Sequence, residues 1–92
     1  MPTHLFEWNL LKSLNNWVKH GATLGDALKL WEKGANRKLT RAGNKNGETR
    51  FHAFGHYKNS LWTAVFTLRE GRVRVISFRK ASRKERAAYF GG

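Results

Sequence analysis

Apolar residues recur at helical spacing through the first third of the chain and at every second position through its last half. The segment His4–Trp8 reads as a short first strand. Asn9 is placed to cap a helix, since its side-chain oxygen can accept an orphan backbone N–H. Leu10, Leu11, Leu14, Trp17 and Val18 then share one helical face, and Gly21 closes the helix in a left-handed cap. Thr23 opens a second helix, with Asp26 in a capping-box-like position. Leu24, Ala27, Leu28 and Trp31 form its stripe and Gly34 ends it. Both stripes predict core. Residues 35–49, with two glycines and three asparagines, read as a loop with room for a short strand at Arg37–Arg41.

From Arg50 the period becomes two, which predicts strands over Arg50–Tyr57, Leu61–Leu68 and Arg72–Arg79. Lys58-Asn59-Ser60 and Glu70-Gly71 supply turns that pair neighbours antiparallel. Ser82 and Glu85 form a capping box at the head of a basic helix running to Tyr89. The predicted fold is α+β, with two N-terminal helices packed on one face of an antiparallel sheet and a short basic C-terminal helix. No repeat or low-complexity tract is present.

Ninety-two residues make one domain, spanning 1–92. With no cysteine there is no disulfide, thiolate metal site or thiol nucleophile. The start, Met-Pro-Thr-His, lacks a signal-peptide pattern, and no run approaches the roughly 18 apolar residues of a membrane span. The expectation is a cytoplasmic protein with no membrane partner. Charge sharpens the picture. The net charge is +12, and residues 36–92 carry fourteen basic against three acidic residues, whereas residues 1–35 carry four against three. One-sign charge on that scale calls for a polyanion or an acidic partner, and phosphate backbones are the commonest.

The chemistry open to these residues is narrow. Six scattered carboxylates give no close pair for a metal. His52 and His56 would stand about 13 Å apart on a strand, too far for one ion. No phosphate-cradling glycine loop, zinc finger or ribonucleoprotein motif occurs, so neither a metal nor another cofactor is expected. Arginine, lysine, histidine and tyrosine around a sheet do suit one reaction. RNA carries its own nucleophile, the 2′-hydroxyl; cutting it needs a base, positive charge for the phosphorane, and an acid for the leaving oxygen. Arginine fits the charge role by binding phosphate oxygens bidentately.

Each residue also has a plainer reading. Arg79, leaving the last strand just before a helix N-terminus, is a phosphate anchor or a surface arginine. Arg72 and Arg74 share a strand face and serve as phosphate contacts or are only solvated. Lys80, Arg83, Lys84 and Arg86 surround the last helix as generic backbone contacts. His20 either caps its helix or belongs to a site. His52 and His56 are more often structural than catalytic, Glu48 and Arg50 pair with each other or do not, and Tyr89 packs or reacts. The alternative to an enzyme is a non-catalytic basic nucleic-acid-binding module.

Several segments resemble the BrnT toxins. They are Phe6-Glu7-Trp8, Lys19-His20-Gly21, Gly47-Glu48-Thr49-Arg50-Phe51 with Gly55 after it, and above all the run from Arg74 to Arg86 followed by Tyr89. The family usually reads R-I-I-S-A-R-R-A-T-R-R-E-R there. The resemblance spans roughly residues 5–90. Departures are small: Asn9-Leu10 replaces Asp-Pro, Phe78 replaces alanine, and the linker at 35–49 is more basic. The resemblance implies a RelE-like fold, a ribonuclease that blocks translation, a ribbon-helix-helix antitoxin of the BrnA kind, and operator DNA bound only through the antitoxin complex. The catalytic candidates are then Arg79, Arg50, His20, Lys19 and Tyr89. The nucleic-acid-binding candidates are Arg72, Arg74, Lys80, Arg83, Lys84 and Arg86.

Overall fold

A computed structural model describes residues 5–32 and 38–91. Strand β1 (Phe6–Glu7) leads into helix α1 (Leu10–His20) and a 3-10 helix (Gly25–Trp31). Strands β2 (Lys38–Lys45), β3 (Glu48–Tyr57), β4 (Ser60–Arg69) and β5 (Arg72–Lys80) follow, and helix α2 (Arg83–Gly91) ends the fold. The sheet order is β1-β5-β4-β3-β2. Strands β2 to β5 form an antiparallel meander, but β1 pairs parallel with β5, so the sheet is mixed and not purely antiparallel. The expected first strand is confined to Phe6–Glu7 in the described part, and His4, Gly34 and Arg37 lie outside the described residues.

Two-residue turns explain the meander. Asn46-Gly47, Lys58-Asn59 and Glu70-Gly71 all have positive φ at both positions, the backbone of the tight turn whose twist matches a hairpin. The first of these corrects the reading of residues 35–49 as loop. Asn-Gly is a strong hairpin signal, and it folds Lys38–Lys45 back onto β3 as a full edge strand.

The region expected to be a second α-helix is instead a 3-10 helix. Thr23 and Asp26 do exchange the two hydrogen bonds of a capping box. Beyond them, Leu24, Ala27 and Leu30 are all fully buried. Their spacing of three matches a helix with three residues per turn, so tertiary burial selects the tighter winding and leaves Leu28 only partly covered. The 3-10 helix lies on β3 at Gly55, where an added Cβ would come 2.9 Å from Leu30 Cδ2. Trp31 packs edge-on between Phe6 and Phe66, and Phe78, Trp62, Ala53, Ala64 and Val75 complete the core.

Helix α1 begins and ends as its sequence predicts. Asn9 accepts the Lys12 N–H at 3.0 Å, and Gly21 closes it at φ 78°. Its apolar stripe, however, does not join the core. Leu10, Leu11, Leu14, Trp17 and Val18 are 52–76% exposed, and the residues turned inward are Ser13 and Asn16. The reason is the outer edge of β5. Strand β1 pairs only with Val73 and Arg74. Further along, the Asn16 amide takes the place of a neighbouring strand. It accepts the Phe78 N–H at 3.1 Å and donates to the Phe78 and Ala22 carbonyls, both at 2.7 Å. Ser13 Oγ accepts the Leu24 N–H at 2.9 Å. Buried backbone groups must be paired, and these two polar side chains do it.

Candidate RNA-facing sheet surface

One irregularity sets the chemistry of β5. Val65 lies opposite Ser77, but Phe66 lies opposite Val75, so Ile76 is an extra residue, a β-bulge. Strict alternation would put Arg79 on the same face as Val75 and Val73. The bulge shifts the phase, so Val75 and Phe78 both enter the core while Arg74 and Arg79 both emerge on the opposite face. On that face β3 presents Arg50, His52, Phe54 and His56. The register sets three rows across it: Arg50–Thr67–Arg74, His52–Val65–Ser77 and Phe54–Thr63–Arg79.

Helix α2 adds the group that ties these rows together. Its capping box forms as predicted: the Ser82 N–H donates to Glu85 Oε1 at 2.9 Å and the Glu85 N–H to Ser82 Oγ at 3.1 Å. The same carboxylate is gripped by both arms of the Arg79 fork, at 2.7 and 3.0 Å, and accepts the buried Thr63 hydroxyl at 3.0 Å. His52 Nδ1 lies 3.6 Å from its second oxygen, an electrostatic contact and not a hydrogen bond. Glu85 thus occupies the donors that a phosphate would use, the arginine fork and a helix N-terminal N–H.

The protonation states follow. The Arg79 hydrogen bonds lower the Glu85 pKa from 4.5 to about 2, against the effect of burial and with help from the Ser82 N–H and Thr63. Such a carboxylate stays ionised and is a weak base. Burial lowers the His52 pKa; Glu85 works against this and Arg79 adds to it. His52 is therefore neutral at neutral pH, the state a proton acceptor requires. Because the folded Glu85 pKa lies below its ordinary value, its contribution to stability is complete above about pH 4.5 and is lost as pH falls toward 2. In thermal melts from pH 7 to 2.5, the parent is expected to lose more of its melting temperature below pH 4.5 than Glu85→Gln does. Parallel curves would show that the carboxylate contributes nothing.

The arginines of this face differ in their partners. Arg74 pairs with Glu7, and Arg69 with Glu48 at 3.1 Å, so Glu48 does not hold Arg50. Arg50 has its Nε buried with no hydrogen-bond partner, and among the described residues no carboxylate pairs with it. A half-buried guanidinium left in that state favours an incoming anion.

Of the remaining candidates, Tyr89 sits on α2 one turn beyond Glu85, its ring 5.9 Å from that of His56. Arg83, Lys84 and Arg86 are exposed on α2, and Arg86 lies over the Phe90 ring. Arg72 and Lys80 are exposed at the two ends of β5. Lys19 and His20 are exposed in the last turn of α1, and none of the contacts joining Arg79, Glu85 and His52 includes them. In the sequence Glu85 shows only as a capping residue, Thr63 carries no signal of its own, and His52 reads as more often structural than catalytic. The signal for them was the phase slip between Val75 and Phe78, which puts Arg79 on the face of the even-numbered residues of β3.

Among the described residues no helix is long and apolar enough to cross a membrane. A comparison with curated protein sequences returns no match. The model of one protein family, described as the ribonuclease toxin BrnT of type II toxin–antitoxin systems, matches residues 8–85. That match takes in α1, the whole meander and the Arg79–Glu85 clamp, and the chain belongs to the BrnT family of ribonuclease toxins.

Proposed function

We propose that this chain arrests translation in the cytoplasm by cutting RNA without a metal ion, that its fold is RelE-like, and that a ribbon-helix-helix antitoxin of the BrnA kind holds it inactive. The observation that carries the reading is the placement of His52 between two guanidinia, the unpaired Arg50 and the Glu85-held Arg79. RNA laid along this face meets Arg72, Arg74, Arg83, Lys84 and Arg86 with its backbone, and Lys80, which alternation turns to the other side, reaches it only around the end of β5. His52 Nε2 takes the proton of the 2′-hydroxyl, and the freed oxygen attacks the adjacent phosphorus. Arg50 and the outward N–H groups of Arg79 bind the phosphoryl oxygens and strengthen as charge develops on them. Tyr89 returns a proton to the departing 5′-oxygen, leaving a 2′,3′-cyclic phosphate and a 5′-hydroxyl. Glu85 reacts with nothing. It holds Arg79 by two hydrogen bonds and faces His52 Nδ1 with its negative charge.

The test is incubation of the purified chain with RNA in excess EDTA. Cleavage is expected; a mobility shift without cleavage would instead indicate a non-catalytic binding module, and a strict need for Mg²⁺ would overturn the metal-free reaction. Arg50→Ala is expected to bind an uncleavable RNA about tenfold more weakly and to lower the salt dependence by about one phosphate contact. Unchanged affinity and slope would move the phosphate contact elsewhere.

A further inference from the structure

Helix α1 carries five of the eight large apolar side chains that are exposed among the described residues, and all five form one stripe. At 3.6 residues per turn, Leu10, Leu14 and Trp17 line one side of that stripe and Leu11 and Val18 the other. This is no helix waiting to roll inward. Ser13 and Asn16 fix the opposite face to Leu24, Ala22 and Phe78 by four hydrogen bonds, so the apolar side is committed to the outside. A contiguous apolar surface of this kind, on a chain of otherwise high charge, marks an interaction site. Beyond Leu11 and Val18, Lys12 and Lys19 stand two turns apart along one edge, and the helix has no acidic residue.

We infer that the exposed stripe of α1 is a docking site for the antitoxin, and that its occupant is an amphipathic helix with an apolar face and acidic flanks. The inference rests on the toxin reading above and adds where and how the partner binds. A second copy of the chain is the poorer fit. It would bring two net charges of +12 together and set lysine edges against lysine edges, whereas an acidic helix satisfies stripe and edge at once. The stripe requires no contact with Arg50, His52 or Arg79, so grip on the toxin and occlusion of its RNA-binding face are separable.

The experiment co-expresses the full chain with the protein encoded by the adjoining open reading frame, and measures binding and RNA cleavage for the parent and for Leu14→Ser/Trp17→Ser. Both residues are more than half exposed, so the variant should keep the parent's melting temperature and its cleavage rate when free. Its affinity for the partner should fall by about 100-fold, since a central tryptophan anchor and its neighbour are lost. Lys12→Glu should weaken binding by about tenfold and reduce its salt dependence. If the parent binds the partner and the double variant binds it equally well, the docking site is wrong while the toxin reading stands. If the parent does not bind it, both fail. If sedimentation shows a dimer of the parent alone that the double variant loses, or if the parent binds phosphatidylglycerol vesicles through these residues and the partner elsewhere, the stripe belongs to another occupant and the inference is overturned.

Discussion

Replacing His52 by alanine is expected to lower the single-turnover rate of RNA cleavage by about 10²–10⁴-fold, the usual contribution of a positioned base. The side chain is about a quarter exposed and makes no hydrogen bond to the core, so the variant should fold. The same residue sets the pH dependence. A base works only when neutral, and burial lowers the His52 pKa below 6.5. The parent's rate should therefore fall in an acid limb that lies below pH 6.5 and steepens to tenfold per pH unit once His52 is mostly protonated. The residual rate of His52→Ala should lack that acid limb. Glu85→Gln provides an internal comparison: it leaves His52 in place, frees Arg79 and removes the carboxylate facing Nδ1, so it should shift the limb rather than abolish it. Cleavage by His52→Ala within threefold of the parent would move the base elsewhere, and Tyr89 and His56 would be examined next.

Asn16→Ala should produce the largest change in stability. Its amide serves the Phe78 N–H, the Phe78 carbonyl and the Ala22 carbonyl, all of them buried. Each stranded group costs on the order of 1–3 kcal/mol, so the variant should lose about 3 kcal/mol or more. For a domain this small that corresponds to a fall of at least about 10 °C in melting temperature. Ser13→Ala, which strands one N–H, should lose about 1 kcal/mol. A melting temperature unchanged by Asn16→Ala would mean that α1 is not anchored through the edge of β5, and with it the outward commitment of the apolar stripe would fall.

These two residues also mark where the sequence was legible and where it was not. Strand periodicity and turn residues placed β3, β4 and β5 to within two residues, because alternating burial and positive-φ turns are local properties. Both helix caps of α1 and the Ser82–Glu85 box followed from short-range hydrogen bonding alone. The Asn46-Gly47 turn is equally local, and it decides β2 against the loop-like composition around it. What a local pattern cannot carry is direction. Leu10, Leu11, Leu14, Trp17 and Val18 read as core because a stripe normally faces its own domain. Asn16 and Ser13 override that rule through backbone groups 62 and 11 residues away in sequence. The site fails locally for the same reason. Arg79 is visible as a strand-end arginine, but its fork is filled by a capping residue, while Arg50, whose pairing with Glu48 the sequence leaves open, is the guanidinium without a carboxylate.

The central claim is that this sheet face cuts RNA by assisting attack of the 2′-hydroxyl, with His52 as base and arginines holding the phosphate. It is tested most directly by the chemical nature of the new ends, measured by mass spectrometry on a short RNA cut by the purified chain in EDTA. Fragments ending in a 2′,3′-cyclic phosphate, paired with 5′-hydroxyl ends and absent when the nucleotide 5′ to the cut is 2′-deoxy, are the predicted result. Fragments ending in a 3′-hydroxyl, or cleavage undiminished by the deoxy substitution, would show that water rather than the 2′-hydroxyl attacks, and would contradict the account.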